Sequence, residues 1–267
     1  MAQIGDGQPV DKIEEDLVRH MVLNSIRSYK VKFEEEYGEL IIACDSPNCW
    51  RKEIFPYYKA NRKQIRDASG FDWNSLFQSL NKIRDELKEN FPYRVIGVIG
   101  AEADDVIATL VNNTHEKILI LSGDKDFIQL QRNMNVKQYD PVRKKFITHN
   151  DPEKFIREHI IRGDSGDGVP NFLSPDNSFV MKIRQKPIME KKLVDWVKLD
   201  PEQFCDETMM RNYKRNQQLI DLSFIPEKIK NDVISEFENQ SNKSRKHLFN
   251  YFVEKKLKNL LENINEF

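Results

Sequence analysis

Four short acidic clusters stand at the ends of apolar runs, and that placement constrains this chain more than any other feature. Asp45 follows Glu39-Leu40-Ile41-Ile42-Ala43-Cys44, and Asp124-Lys125-Asp126 follows Lys117-Ile118-Leu119-Ile120-Leu121-Ser122-Gly123. Glu102-Ala103-Asp104-Asp105 and Asp164-Ser165-Gly166-Asp167 complete the set. A carboxylate at the C-terminal end of a buried strand sits where α/β folds build their active sites. Several such carboxylates brought together repel one another strongly unless a cation joins them. Mg²⁺ prefers oxygen ligands and retains waters, which suits such a site. Two such ions activate a water and stabilise a leaving oxygen on phosphorus, so the pattern points to a phosphodiesterase.

Composition narrows the setting. With 267 residues the chain is expected to form one large or two modest domains. Charged residues make up 32% of it and the net charge is -1, so any nucleic-acid surface must come from segregation of bases away from the acids. Cys44, Cys49 and Cys205 are few, odd in number and lack a CxxC spacing, which predicts a reducing compartment and argues against a zinc site. Met1-Ala2-Gln3-Ile4-Gly5-Asp6 has neither the basic nor the apolar region of a signal peptide, and no apolar run is long enough to span a membrane. A cytoplasmic protein is expected.

The spacing of apolar residues predicts a helix over 10–36, a buried strand over 39–44, an amphipathic helix from Trp73 to Leu87 and a strand from Arg94 to Val98. A helix follows over Glu102 to Val111, with acids in its first turn. Ile118 to Leu121 is the strongest strand, and a short helix is expected over Asp126 to Leu130. Val136 to Tyr139 and Lys145 to Thr148 read as a hairpin. From Asn150 the pattern is helical, with Asn150 or Asp151 as cap and Pro152 in the first turn. Strands alternating with helices predict an α/β fold whose central sheet is mainly parallel and flanked by helices.

Each motif has a plainer reading beside the chemical one. Asp124 and Asp126, two residues apart, face one metal region if the turn is extended, yet Asp also favours polar turns and caps. The acids of 102–105 fit a helix dipole as well as a metal. Gly163, Gly166 and Gly168 allow close backbone approach to a phosphate, or simply a tight helix-to-helix turn. Residues 51–63 mix bases with aromatics, which bind phosphates and stack bases or coat a solvated helix. The five histidines have no mutual spacing for zinc or a Ser/His pair and read as structural or surface residues. No Gly-Lys-Ser/Thr ends a glycine-rich loop, so kinase or ATPase chemistry is disfavoured.

Taken together, Ala43-Cys44-Asp45, Phe55-Pro56-Tyr57-Tyr58-Lys59-Ala60-Asn61-Arg62, Glu102-Ala103-Asp104-Asp105-Val106-Ile107-Ala108, Ser122-Gly123-Asp124-Lys125-Asp126-Phe127 and Gly163 through Pro170 resemble the flap endonuclease (5′-nuclease) superfamily. Within it the chain is most similar to the ribonuclease H group of T-even-type bacteriophages, including the ending Asn263-Ile264-Asn265-Glu266-Phe267. The resemblance implies a nuclease core over 1–149 with an arch at about 48–71, then a helix–three-turn–helix and a helical DNA-binding region over 150–267. It implies a metal-dependent 5′-3′ exonuclease and flap endonuclease that removes RNA primers and 5′ DNA flaps during lagging-strand replication. Two Mg²⁺ ions are implied, with Mn²⁺ as a substitute, held by Asp45, Glu102, Asp104, Asp105, Asp124, Asp126, Asp164 and Asp167. Lys59, Arg62, Asp124 and Asp126 are implied to be catalytic. Lys52, Tyr58, Lys59, Arg62, Lys63, Gly163, Ser165, Gly166 and Gly168 are implied to meet nucleic acid. The partners implied are flapped or nicked duplex DNA and RNA–DNA hybrids, together with a single-stranded-DNA-binding protein or sliding clamp. The enzyme is expected to act as a monomer, in the host cytoplasm if phage-encoded, with no membrane partner. The family opens with a strand bearing an Asp ligand. Here Met1 to Ile4 aligns just after that strand, and Asp6, Asp11 and Asp16 follow no apolar run. That departure motivates a second reading, a catalytically impaired protein that binds structured DNA without cutting it.

Overall fold

The structure, a computed structural model, describes residues 14–267. The expectations for Val10, Asp6, Asp11 and the Met1–Ile4 alignment lie outside the described residues. Elements run in the order α1 (Glu15–Tyr37), β1 (Ile41–Ala43), α2 (Arg51–Ile54), α3 (Ala60–Ala68), α4 (Trp73–Asn90), β2 (Arg94–Ile96), α5 (Ala103–Asn112) and β3 (Ile118–Leu121). There follow a 3₁₀ helix (Lys125–Arg132), β4 (Val136–Asp140), β5 (Lys145–Ile147), α6 (Pro152–Arg162), α7 (Glu190–Trp196), α8 (Glu207–Ile220), α9 (Glu227–Asn239), α10 (Leu248–Glu254) and α11 (Lys258–Leu261). Contacts divide the chain into two units that are discontinuous in sequence. One holds the described residues to Leu40 with Lys63–Val95 and Asn242–Phe267, and the other holds Ile41–Arg62 with Ile96–Ser241. The boundary expected at 149/150 falls inside the second of these.

In the first unit α1 packs on α4. Arg19 is 1% exposed, and such a charge survives burial only when paired. Its Nε donates to Glu86 Oε2 at 2.8 Å, and its other nitrogens reach Glu86, Glu15 and Asp16. Asp16 is therefore a surface ion-pair partner on α1. Glu86 also accepts from Tyr251 Oη at 2.8 Å and lies 3.2 Å from Lys255 Nζ, which ties the C-terminal helices to α4. Phe91 sits among Tyr251, Phe252 and Phe267, with ring centroids 5.2, 5.8 and 5.8 Å away. The chain's last residue is thus a core residue.

The second unit is built on β3, whose four aliphatic residues pair in parallel with β4 from Ile118–Val136 to Leu121–Tyr139. β5 returns antiparallel along β4, as the hairpin predicts. This sheet has the order β3-β4-β5 with one parallel and one antiparallel pairing, smaller than a long parallel sheet but in the predicted class. Near β1, the Cys44 N–H donates to the Ile96 carbonyl at 2.9 Å. α5 buries Val106 and Ala108 against this core, and α6 and α8 pack on each other. α6 starts as its sequence dictates, with Asp151 Oδ1 accepting the Lys154 N–H and Pro152 where no N–H is needed. It ends at Gly163, where φ is 69° and an added Cβ would lie 2.4 Å from the Val169 carbonyl oxygen. Asn216 of α8, fully buried, donates to the Ile160 and Pro170 carbonyls at 2.8 and 2.9 Å and so fixes both ends of the glycine-rich loop.

The Glu86 network yields a stability prediction for the first unit. Glu86→Ala leaves buried Arg19 with only the half-buried Glu15 and the exposed Asp16, so unfolding in urea should show a loss of about 3–5 kcal/mol.

Candidate metal centre and nucleic-acid interface

Every predicted acid lies in the second unit, but the acids fall into two sets. In the first, the chain supplies its own counter-charge. Asp105, fully buried in α5, takes Arg51 Nη2 on Oδ1 at 2.8 Å. Its Oδ2 accepts from Arg51 Nη1, Trp50 Nε1 and the Glu102 N–H at 3.0, 3.1 and 2.9 Å. Arg51 Nε donates to the Leu219 carbonyl at 2.8 Å, so the guanidinium joins α2, α5 and α8. In this structure both oxygens of Asp105, expected to be a metal ligand, are engaged by Arg51. Cys49, in the same buried group, is pushed up to about 12 by burial and the nearby Glu102 charge, so it stays a neutral thiol.

Glu102 belongs to this set as well. Its Oε2 accepts from Arg51 Nη1 at 3.0 Å and Tyr58 Oη at 2.8 Å, and its Oε1 takes Lys59 Nζ at 2.5 Å. Burial opposes its charge, yet Lys59 and Arg51 outweigh burial and hold its carboxyl below the ordinary range. Asp167 is met by Tyr58 Oη at 2.8 Å and by Arg62 Nη2 at 2.6 Å, with Lys59 Nζ 3.6 Å away. The predicted arch bases thus rest on acids of the cleft. Asn61 Nδ2 and Arg62 Nε also donate to the carbonyls of Ser165 and Gly166. Gly168, with φ 71°, lies so close that an added Cβ would be 3.0 Å from Asn61 Oδ1 and 3.2 Å from the Tyr57 carbonyl. The glycine loop therefore faces the arch segment in this structure. Lys52 and Lys63 are exposed, and Lys63 lies outside this unit.

The second set lacks such partners. Asp104 and Asp126 line a cleft with Asp164, Asp167, Tyr58 and Arg51. Burial, then the charges of Asp124 and Asp126, push Asp104 up to about 7. Burial, then Asp124, Asp164 and Asp167, push Asp126 up to about 8. Asp126 Oδ1 is shut off from solvent with no hydrogen-bond partner. Asp124 caps the 3₁₀ helix, its Oδ1 accepting the Asp126 N–H at 3.0 Å, so cap and acid pair are the same feature. Two buried amides hold this segment. Gln138 Nε2 donates to the Ser122 and Asp124 carbonyls at 2.9 and 2.6 Å, and Gln129 Nε2 to the Asp126 carbonyl at 2.9 Å. Gly123 packs closely beside them, since a Cβ there would lie 3.1 Å from the Asp140 carboxylate.

Asp164 and Asp45 are held in other ways. Asp164 Oδ1 accepts the Gly166 and Asp167 N–H groups at 2.7 and 3.1 Å, and its Oδ2 lies 2.9 Å from Lys125 Nζ and 3.0 Å from His159 Nε2. Burial opposes its charge, but His159 and Lys125 hold its carboxyl far below the usual range. Asp45 is exposed and accepts the Ala103 N–H at 2.9 Å, next to Asp104 at the start of α5. Sequence reasoning missed Arg51, His159, Gln129 and Gln138. Of these, only His159 carried a signal, since it stands five residues before Asp164 in the last turn of a predicted helix.

The comparisons agree with this architecture. A family model described as "5'-3' exonuclease, N-terminal resolvase-like domain" matches residues 6–159, and one described as "T4 RNase H, C terminal" matches residues 150–267. The chain belongs to the 5′-3′ exonuclease family, in its phage ribonuclease H branch. Among its relatives, the ribonuclease H of Enterobacteria phage T4 is 34% identical over 271 positions, covering 96% of this chain and 88% of that protein. Flap endonuclease Xni of Shewanella pealeana is 35% identical over 132 positions, covering 45% of this chain and 48% of that protein. In fold, the phage T5 D15 protein co-crystallised with metal ions superposes with a TM-score of 0.61 at 17% identity, over 87% of this chain and 98% of that one.

The raised carboxyls make a pH prediction for the metal-free protein. Asp104 and Asp126 hold their protons to about 7 and about 8, whereas in the unfolded chain they lose them near 3.8. Between those values the native state binds more protons, so these two acids lower stability as pH rises from about 4 to 8. A divalent cation bound among them should raise the melting temperature more at pH 8 than at pH 5. Thermal scans with Mg²⁺ and with EDTA check this.

Proposed function

We propose that the protein is a Mg²⁺-dependent 5′-3′ exonuclease and flap endonuclease that hydrolyses phosphodiesters in RNA primers on DNA and in 5′ DNA flaps. The observation that carries this reading is the set Asp104, Asp124 and Asp126. They are mutually repelling and left without cationic partners of comparable strength, beside a segment that presents Lys59 and Arg62. The substrate class follows from the relatives, which are named as a ribonuclease H and as flap endonucleases. A T5 D15 flap endonuclease structure is described as a pseudo-enzyme-product complex with DNA and metal ions. Binding without turnover is not favoured, because the chain keeps an assembled acid cluster.

Asp104, Asp124 and Asp126 are the proposed ligands, with Asp45 at their margin. Asp164 and Asp167 shape the glycine-rich loop. Divalent ions held there would supply the Lewis acidity for attack of water on phosphorus. Lys59 and Arg62 bring positive charge to the equatorial oxygens as charge develops. Gly163, Gly166 and Gly168 belong to the loop proposed to meet a duplex backbone, in which Asp164 already holds the Gly166 and Asp167 N–H groups, while Tyr58 buttresses the segment through Glu102 and Asp167. Lys52 and Lys63 add exposed charge for phosphates.

A labelled 5′-flap duplex incubated with the chain should release short 5′ products with Mg²⁺ and none with EDTA. Asp124→Asn should reduce cleavage at least a thousandfold, on the order of 4 kcal/mol in the barrier, while flap binding changes little. Unchanged turnover rejects the assignment. Lys59→Ala should lower the single-turnover rate more than it weakens binding, by about 10²–10³. A full rate in that variant removes Lys59 from the chemistry.

A further inference from the structure

Glu153, Ile156, Arg157, Ile160 and Ile161 stand at i, i+3, i+4, i+7 and i+8 along α6 and so share one face of that helix. His159, which bonds Asp164, is off that stripe. The stripe forms one wall of a cavity of about 210 Å³. The segment after α7 bounds it with Leu199, Asp200 and Pro201, and α8 bounds it with Tyr213 and Gln217. A concave, mainly apolar cavity with a few convergent polar groups is the usual form of a small-molecule site.

Its polar groups are unevenly satisfied. Tyr213 is 7% exposed, yet its hydroxyl has no hydrogen-bond partner among the described residues. Burial holds the phenol above its ordinary range, so it keeps a proton to donate. Arg157 donates to the Val197 carbonyl at 3.2 Å and has no carboxylate partner among the described residues. These two donors call for an anionic acceptor. The acids of the rim call for the opposite. Asp221 Oδ1 accepts the Ser223 N–H at 2.9 Å, which leaves Oδ2 open, and Asp200 is exposed on the same rim. Glu153 adds a third carboxylate, 3.8 Å from Arg132. Three carboxylates around one guanidinium repel a ligand that is only an anion. A ligand that is only a cation displaces water from Arg157 and Tyr213 and leaves both without a partner. A molecule that carries both charges answers both sets.

The walls define its body. Trp196 already stacks on Phe204 at 5.6 Å and meets Phe172 edge-on at 5.2 Å. Ile156, Ile160, Leu199 and Pro201 are aliphatic, so the cavity suits a compact branched chain rather than a stacked base. We propose that this cavity binds a small aliphatic α-amino acid as its zwitterion, with its carboxylate on Arg157 and Tyr213, its ammonium on Asp221 and Asp200, and its side chain against Ile156, Ile160 and Leu199. Every one of these residues belongs to the second unit, and none is a proposed ligand or base of the nuclease, so the inference stands apart from that reading.

The test titrates the full chain by calorimetry with L-leucine, 3-methylbutanoate and 3-methylbutylamine. The last two keep the branched chain but carry one charge each. L-leucine should bind saturably, one per chain, and about tenfold or more tighter than either analogue. Arg157→Gln and Asp221→Asn should each weaken it by about tenfold or more. Leu199→Trp removes no charge or hydrogen bond and fills the mouth at a half-exposed position, so it should abolish binding while circular dichroism stays unchanged. That variant carries the test if Asp221→Asn, which keeps only part of a turn, does not fold. Absence of saturable L-leucine binding overturns the inference. So does an analogue that binds as tightly as L-leucine, because a single charge then suffices. Undiminished binding in Leu199→Trp also overturns it, since the ligand then sits elsewhere.

Discussion

Two unit charges 4 Å apart interact by about 4 kcal/mol at an effective dielectric constant of 20, a large part of the roughly 5–15 kcal/mol that stabilises a whole domain. A fold that gathers Glu102, Asp104, Asp105, Asp124, Asp126, Asp164 and Asp167 in one unit has to answer that repulsion. It does so unevenly. Arg51 neutralises Asp105 and shares Glu102 with Lys59, Arg62 takes Asp167, and Lys125 faces Asp164. Asp104 and Asp126 receive no comparable partner, and burial, then the neighbouring acids, raise their carboxyls. The acids that are neutralised internally organise the framework, and the acids that are not form the proposed cation site.

Precision comes from neutral groups. A loop that ends a strand is ordinarily a mobile part of an α/β unit, yet Gln138 and Gln129 bond the backbone at Ser122, Asp124 and Asp126. Gln129 also bonds the Ile220 carbonyl and the Leu222 N–H, so the position of the acid pair is coupled to the end of α8. Buried amides suit this task because they add hydrogen bonds without altering a charge balance that is already tight.

Local chemistry was legible in the sequence. Ile118–Leu121 is a strand in both readings because four aliphatic residues are bounded by Lys117 and Ser122. α6 begins at Pro152 because Asp151 and Pro152 leave little alternative, and the hairpin around Pro141 forms as its turn residues predict. The candidate acids were visible because each follows an apolar run. Partnerships across long sequence separations were hidden. Asp105 looks like its neighbour Asp104 until Arg51, 54 residues earlier, claims both of its oxygens. His159 looks like a surface histidine until α6 ends in a glycine that turns Asp164 back onto its ring. The division into discontinuous units was hidden too, because it depends on pairs such as Arg19 and Glu86, 67 residues apart.

Lys59 and Arg62 show how one arrangement would serve both folding and, under the proposed function, substrate recognition. Lys59 has φ 56°, a left-handed conformation that costs a non-glycine residue roughly 1–2 kcal/mol. It is held there by its own N–H, which donates to the Asp167 carbonyl at 2.7 Å, and by its ammonium on Glu102. Burial disfavours that ammonium, while Asp167 and Glu102 raise its affinity for the proton, so the charge is maintained without substrate. A phosphate entering the cleft offers Lys59 and Arg62 the same kind of partner that Glu102 and Asp167 now provide. Exchange of one anionic oxygen for another leaves the count of charge-assisted hydrogen bonds nearly constant. Under the proposed function, substrate engagement would draw on cations already positioned, Lys59 largely buried and Arg62 half exposed, with the strain at Lys59 borne by contacts within the fold.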